Sequence, residues 1–353
     1  MNYSRFLDIH GFPIRKTPNN KIKLLQEKRV FLLSKFIRRF DICLILTSFD
    51  LIKNFYHDKI LSKYYLDKIR TIKIFFSFKI CFKLLAIFNY YFFQREKIIL
   101  KDNEIILFGP YSYNYSHTLH EFFTRLIYLK KKYKKLNIFI PNTLKKILYS
   151  RPYKFIFLNK IFNFKFYNTN SNIEFINCNY LTHPNNRWVV KKKKKRISIE
   201  YKKLMNQLRE EVVKSTPTSK KKLPKYILVS RANSLTRKLL NENELFYQIK
   251  KYGFKKVCFE ELSYEKQVQV SKNCKIMIGY HGAGLTNLIF MKKNMHLIEI
   301  FNKYYEHEHF KLFSKCQNIK YKKFQCEDNR KNLDGVCNIP IIENYIQQVI
   351  KIA

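Results

Sequence analysis

Small residues are what this chain has least of: 353 residues include only 7 glycines, 4 alanines and 9 prolines, with a single tryptophan. That poverty excludes collagen-like and Gly/Pro-rich low-complexity architectures. Its eight cysteines (43, 81, 178, 258, 274, 316, 326, 337) form no CxxC pair, which excludes the common zinc-finger spacings. A chain this long needs no disulfide framework, so buried thiols in a reducing compartment are expected. The N-terminus, MNYSRFLDIHGFPIR, lacks the apolar core and cleavage site of a signal peptide. A cytoplasmic location, with or without membrane association, is therefore expected. The sequence also carries no Walker pattern, no GxGxxG and no Asp-x-Asp.

What is abundant is lysine and aromatics. There are 54 lysines but 15 arginines, 32 Phe and 25 Tyr, and a net charge of +43. Such charge suits a polyanionic partner. The favoured residues all have AT-rich codons, however, so mutational drift explains much of the excess. Readers of nucleic acid rely on arginine for bidentate base contacts, and arginine is the scarce cation here. No nucleic-acid partner is expected, although a basic nucleic-acid-binding protein is retained as an alternative. With 46% hydrophobic residues the chain builds a core.

Residues 1–95 read as a basic, aromatic-rich, helical region. Within it, 72–93 holds thirteen Leu, Ile or Phe, interrupted by Lys79 and Lys83. The apolar gain of roughly 4 to 8 kcal/mol is offset by about 3 kcal/mol for each lysine, so a span is not favoured. The two lysines share one helical face, as in a helix packed on a domain or lying on a membrane surface. Peripheral membrane contact through 72–93 follows as an expectation.

From residue 96 strands alternate with helices, which implies parallel sheets. Strands are expected at Glu104–Phe108, Asn137–Ile140, Tyr226–Ser230, Lys256–Phe259, Lys275–Gly279 and His296–Phe301. Helices are expected at His117–Tyr133, Arg196–Lys214, Tyr264–Asn273 and Leu285–Met291. Another should start with an Asn241/Glu244 capping box and stop at Gly253. The polar, proline-bearing stretch 215–224 reads as a linker. The resulting organisation is an α/β chain of two Rossmann-like domains, 96–214 and 225–353, joined at 215–224. Lys191–Arg196 reads as a solvated loop or helix start.

Three segments carry chemistry. In CKIMIGYHGAGLTNLIFM, residues 274–291, three of the seven glycines cluster: Gly279, Gly282 and Gly284. Such clustering signals positive φ or close approach. A strand end followed by a helix start offers amides to a phosphate. His281, Gly282, Ala283, Gly284, Thr286 and Asn287 are the candidates there. In YILVSRANSLTRKLL, residues 226–240, Ser230 and Arg231 sit at a strand's carboxyl end with Arg237 in the loop, placed to clamp a diphosphate. In YNYSHTLHEFF, residues 113–123, His117 and Glu121 are spaced i, i+4 and share a helical face, an arrangement able to supply a general base. They offer a metal no convincing third ligand, and His120 reads as a neighbouring surface or packing residue. Glu299, in the LIEIF strand, could accept ribose hydroxyls or pair with a lysine.

Together these segments resemble glycosyltransferase family 61. The late signature corresponds to His281–Asn287 with Ile298-Glu299. The middle one corresponds to Ser230-Arg231, Arg237 and Asn241-Glu242, and the early one to Asn114, His117, Glu121 and Arg125-Leu126. Ser116 stands where the family commonly has glycine, and Thr124 where it commonly has proline. The resemblance implies a GT-B-like fold with the nucleotide-sugar donor, UDP-linked, held mainly by the C-terminal domain. It implies inverting transfer to a glycan or protein hydroxyl without a metal or other cofactor. Arg231, Arg237, His281 and the amides after Gly282 would then stabilise the leaving group, and His117 or Glu121 would be the base. A catalytically inactive scaffold of the same fold is a further alternative.

Overall fold

Buried apolar strands and the helices that cover them build two units, each with its own sheet. The computed structural model describes residues 5–6, 24–32, 43–46, 96–107, 114–158, 161–168, 173–181, 189–191, 194–196, 199–305, 308–329 and 333–352. The expected helix at 72–93 lies outside them. Among the described residues no helix is long and apolar enough to cross a membrane.

The first unit comprises Met1–Tyr113, Leu129–Lys145 and Lys160–Asn185. Its strands are β1 (Arg5–Phe6), β2 (Leu24–Leu32), β3 (Cys43–Leu46), β4 (Glu96–Ile99), β5 (Glu104–Ile106), β6 (Leu136–Pro141), β7 (Phe162–Tyr167) and β8 (Ile173–Leu181). They lie in the order β1-β3-β2-β8-β5-β6-β7, with β4 also on β8. From β8 to β7 the pairing is parallel, as a Rossmann-like half requires. From β8 to β1 it is antiparallel. Residues 1–95 were expected to be helical, yet their parts described here before Glu96 are strands. Pairing with β8 over Leu24–Leu32 decides that, and local composition cannot show it. Short segments expected near Ile173–Ile176 and Tyr180–Thr182 fuse into the single strand β8, and β7 was not expected.

The second unit comprises Asn114–Tyr128, Lys146–Asn159 and Asn186–Ala353. The division therefore does not fall at 215–224. That stretch is tied to helix Tyr264–Asn273, whose Gln269 and Asn273 side-chain amides donate to the carbonyls of Pro217, Leu223 and Pro224. Lys191–Arg196 is a hairpin of β9 (Val189–Lys191) and β10 (Lys194–Arg196), not a loop or helix start. Pairing of the two short strands settles this.

The unit's main sheet contains β11 (Tyr226–Val229), β12 (Phe254–Val257), β13 (Ile276–Tyr280), β14 (His296–Phe301) and β15 (Lys320–Gln325). The order β12-β11-β13-β14-β15 is parallel throughout. β11, β13 and β14 are nearly continuous apolar runs, as expected for strands covered on both faces. On one face Leu228, Ile278, Ile298 and Ile300 form a core with Leu245 and Ile249 of helix Glu242–Ile249 and Ile342 and Ile346 of helix Ile339–Ile352. A hairpin of β16 (Asp328–Asn329) and β17 (Gly335–Val336) precedes that last helix.

Helix Ile199–Ser215 starts three residues later than expected, and Tyr264–Asn273 matches its expected bounds. Leu285–Met291 was expected as an α-helix. Ala283–Phe290 instead forms a 3-10 helix, tightened where the chain packs among helices Ile199–Ser215, Tyr264–Asn273 and His309–Gln317. The Asn241 capping box does not form. The Asn241 amide instead bonds both backbone groups of Cys337, at 2.9 and 3.1 Å. Gly253 does end the following turn, in the left-handed region at φ +87°.

Candidate active site

Order β12-β11-β13 contains a topological switch: the chain leaves β11 towards β12 on one side, then returns to lay β13 on the other. Crevices at the carboxyl ends of such strand pairs are where open α/β sheets receive ligands. Ser230-Arg231 follows β11 and His281-Gly282 follows β13, so two separate sequence motifs converge there.

Glu242 holds the first motif. Its carboxylate accepts the Ser230 hydroxyl at 2.6 Å and the Arg231 amide at 3.2 Å, with Lys256 at 3.1 Å. The Ser230 hydroxyl is therefore committed to shaping the turn. Loop 231–237 then wraps around the Arg231 guanidinium. Nε donates to the Arg237 carbonyl at 2.9 Å, and Nη2 donates to Ser234 Oγ at 2.6 Å and the Thr236 carbonyl at 3.1 Å. Arg237 itself adopts φ +60° to close this wrap.

Arg231's Nη1 lies over Gly282. A Cβ at residue 282 would fall 1.8 Å from Nη1 and 2.7 Å from Cζ. Gly282 is extended, at φ −178°, so close approach rather than left-handed backbone is what requires glycine. The same reason applies to Gly284, where a Cβ would meet Val229 at 3.0 Å. Burial, and then the neighbouring Arg237 charge, lower the Arg231 pKa to about 10. A partly desolvated guanidinium beside a second cation is suited to an anionic partner.

His281 is fixed from below. Its amide donates to the Ile300 carbonyl at 2.8 Å, its Nδ1 bonds Glu299 Oε1, and its ring lies 5.0 Å from Phe310. The other Glu299 oxygen accepts the Tyr321 hydroxyl at 2.6 Å. Glu299 thus orients His281, and both its oxygens are engaged within the protein. Thr286 is fully buried, and its hydroxyl has no hydrogen-bond partner among the described residues. Asn287 is also fully buried. It accepts the Tyr115 hydroxyl at 2.9 Å and donates to Gln267 and the Gly284 carbonyl at 3.3 and 3.1 Å. It braces the turn from inside.

Tyr115 leads to the third motif. Asn114 Oδ1 accepts the amides of Ser116 and His117, starting a helical run Tyr115–His117 that passes through a π turn, Thr118–Phe123, before continuing as Thr124–Lys132. Isolated π turns in α-helices often mark functional sites. Carbonyls of His120 and Glu121 accept the Thr124 hydroxyl, and the Glu121 carbonyl also accepts Arg125 Nε. His117 Nδ1 donates to Glu121 Oε1 at 2.7 Å. Glu121 is fully buried, whereas the His117 side chain is 16% exposed. His120, buried against Phe313, brings Nδ1 to 3.8 Å from the same carboxylate oxygen. Donor atoms of His117, His120 and Glu121 all lie within 4.8 Å of one another, the one such metal-capable group among the described residues. A row of rings, His120–Phe313–Phe310–His281, connects this cluster with the switch-point crevice.

Of the residues expected from the sequence, the structure brings Arg231, His281 and Gly282 together at the switch point and pairs His117 with Glu121. Tyr115, Glu242, Gln267, Phe310, Phe313 and Tyr321, which pack or bond around them, were not singled out, and His120 was expected only as a surface or packing neighbour. Of these only Glu242 carried a signal, standing beside Asn241 in the motif that accompanies Ser230-Arg231.

Comparison with known proteins gives the same picture. The chain is 38% identical over 69 residues to the EGF domain-specific O-linked N-acetylglucosamine transferase of Drosophila melanogaster, covering 19% of this chain and 13% of that protein. It is 35% identical over 81 residues to the alpha-1,3-arabinosyltransferase XAT2 of Oryza sativa subsp. japonica, 22% of this chain and 13% of that one. It is 27% identical over 92 residues to the beta-1,2-xylosyltransferase RCN11 of the same plant, covering 24% and 17%. The similarity to these curated relatives therefore spans less than a fifth of their own lengths. The glycosyltransferase 61 family profile matches residues 115–298, just over half of the chain, and takes in the three motifs except Asn114 and Glu299 at their outer ends. The chain belongs to the glycosyltransferase 61 family.

Proposed function

We propose that this protein transfers a sugar from a nucleotide-sugar donor, UDP-linked, to a hydroxyl of a glycan or protein acceptor, with inversion and without a metal. One observation carries the reading: the Arg231 guanidinium is wrapped by its own loop and laid over Gly282 where the sheet reverses its strand order. The donor's diphosphate would lie there against Nη1, the amides after Gly282 and the His281 ring, with Arg237 adding charge. In the absence of a cation such groups must stabilise the departing nucleotide. Ser230, Glu299 and Asn287 act in this scheme through Arg231, His281 and the turn. Ala283, Gly284 and Thr286 supply the lining.

His117 is the base in this reading and Glu121 its orienting partner. Burial divides the roles: the carboxylate is enclosed, and the imidazole is the member open to solvent. With Nδ1–H given to Glu121, Nε2 is the atom that takes the acceptor proton. Two Rossmann-like sheets support a GT-B-type arrangement with the donor on the C-terminal side. Nucleic acid has no part in this function.

Calorimetric titration with UDP tests the donor site, with GDP, CMP and pyrophosphate as controls, in EDTA and about 0.3 M salt to suppress nonspecific charge effects. Saturable, UDP-selective binding lost in Arg231→Ala and His281→Ala is the expected result. Weak, equal binding of every anion in wild type and variants alike would remove the reading's support and return the nucleic-acid and scaffold alternatives.

A further inference from the structure

The His117–His120–Glu121 cluster has more donors than acid–base chemistry needs. We propose that these three side chains bind a divalent transition metal, zinc foremost, and that the bound ion blocks the transfer reaction. Ion binding stands apart from the proposed function; the blocking effect rests on it.

Geometry comes first. Ligands about 2.1 Å from a tetrahedral zinc stand about 3.4 Å apart. Here Glu121 Oε1 lies 2.7 Å from His117 Nδ1 and 3.8 Å from His120 Nδ1, and the three donors fall within 4.8 Å of one another. The two printed separations straddle the required spacing, each within an ångström of it, so small side-chain adjustments bring the donors around an ion. Two imidazoles and one carboxylate form a donor set suited to zinc, and three protein ligands leave a position open. His117 is the partly exposed member of the three, at 16%.

The supports are in place as well. Phe313 packs against the His120 ring, and the Thr124 hydroxyl holds the carbonyls of both His120 and Glu121. Arg125, bonded to the Glu121 carbonyl and lying 4.8 Å over the Phe122 ring, is the cation on the same turn and moderates the affinity. Positions i, i+3 and i+4 share one helical face, which brings the three side chains together. An imidazole that gives Nδ1 to the ion carries its remaining proton on Nε2, so His117 has no lone pair left to take the acceptor's proton.

The test uses the full chain, stripped with EDTA and desalted. Zinc is titrated in competition with a chromophoric chelator, and Co2+ serves as a spectroscopic substitute. One ion per chain is expected, with affinity falling roughly tenfold or more in His120→Ala and in the milder His120→Gln. Cobalt should give visible bands without thiolate charge transfer. Thermal unfolding checks the variants: zinc should raise the midpoint of the wild type and leave each variant at its own metal-free midpoint, which burial of His120 against Phe313 sets lower for His120→Ala than for wild type. Zinc should inhibit wild-type transfer, and that inhibition should be lost in both variants, each measured against its own activity in EDTA. Absence of binding at micromolar zinc, equal binding in the variants, or thiolate bands in the cobalt spectrum would overturn the site. Binding that depends on His120 but leaves transfer unaffected would overturn the blocking role alone, and activation by zinc would also overturn the metal-free mechanism.

Discussion

The two halves of the candidate site are built by opposite means. At the switch point the backbone makes room: a glycine is kept at 282 because a guanidinium lies on it, and the guanidinium is held by its own loop's oxygens. At the π turn the side chains do the work, with a buried carboxylate aligning a partly exposed imidazole. In the proposed function the first half would hold the donor and the second would handle the acceptor's proton. Each should therefore fail in its own kinetic parameter.

Proton handling gives the largest expected effect. Glu121→Gln keeps the shape of the pair but removes the carboxylate charge that orients His117, and His117→Asn removes the base. Each should lower kcat by about 10²- to 10⁴-fold. UDP affinity, measured by calorimetry on the same preparations, should stay within about twofold of wild type. Loss of donor binding in either variant would erase the contrast between the two halves.

Gly282→Ala comes next. The added methyl would overlap Nη1 and force Arg231 out of its loop, so donor affinity should fall by about 100-fold, comparable with Arg231→Ala. If displaced Arg231 is the whole effect, the double variant should be no worse than Arg231→Ala, as residues acting through one contact are non-additive. Additive losses would mean that Gly282 contributes its own amide geometry independently. Tyr321→Phe sharpens the comparison further. It removes the hydroxyl bonded to Glu299 Oε2 and loosens His281 indirectly, for an expected loss of under tenfold in donor affinity with an unchanged fold.

How much of this was legible beforehand follows the same division. Gly282 stood out because glycine is scarce, and Arg231 because arginine is, so a biased composition sharpened both. Strands β11, β13 and β14 announced themselves as buried apolar runs. The π turn was not legible, since His117–Glu121 at i, i+4 looks the same in an ordinary α-helix. Nor were Tyr321 and Phe310, whose roles arise from strand register and helix packing across the chain. Asn241 misled because a capping residue and a tertiary anchor have the same local sequence. Only Cys337, 96 residues away, tells them apart. Residues 24–32 misled because a strand there depends on β8.

The smallest expected effect separates the two sheets by their acid response. In the first unit, Glu104 is buried beside β8 and takes the Lys165 ammonium at 2.6 Å and the Lys101 amide at 3.0 Å. Burial alone would raise its pKa, but these partners outweigh it and hold the carboxyl below its usual value. A carboxylate with a lowered folded pKa contributes stability above its unfolded pKa and loses it as pH falls through the folded one. Lys165 is partly exposed, so screening keeps the contribution small. In Glu104→Gln the thermal midpoint should lie slightly below wild type at neutral pH, and the two curves should meet as the pH drops beneath the carboxylate range. A constant gap down to the lowest pH at which the protein stays folded would mean that the glutamate acts through packing rather than charge.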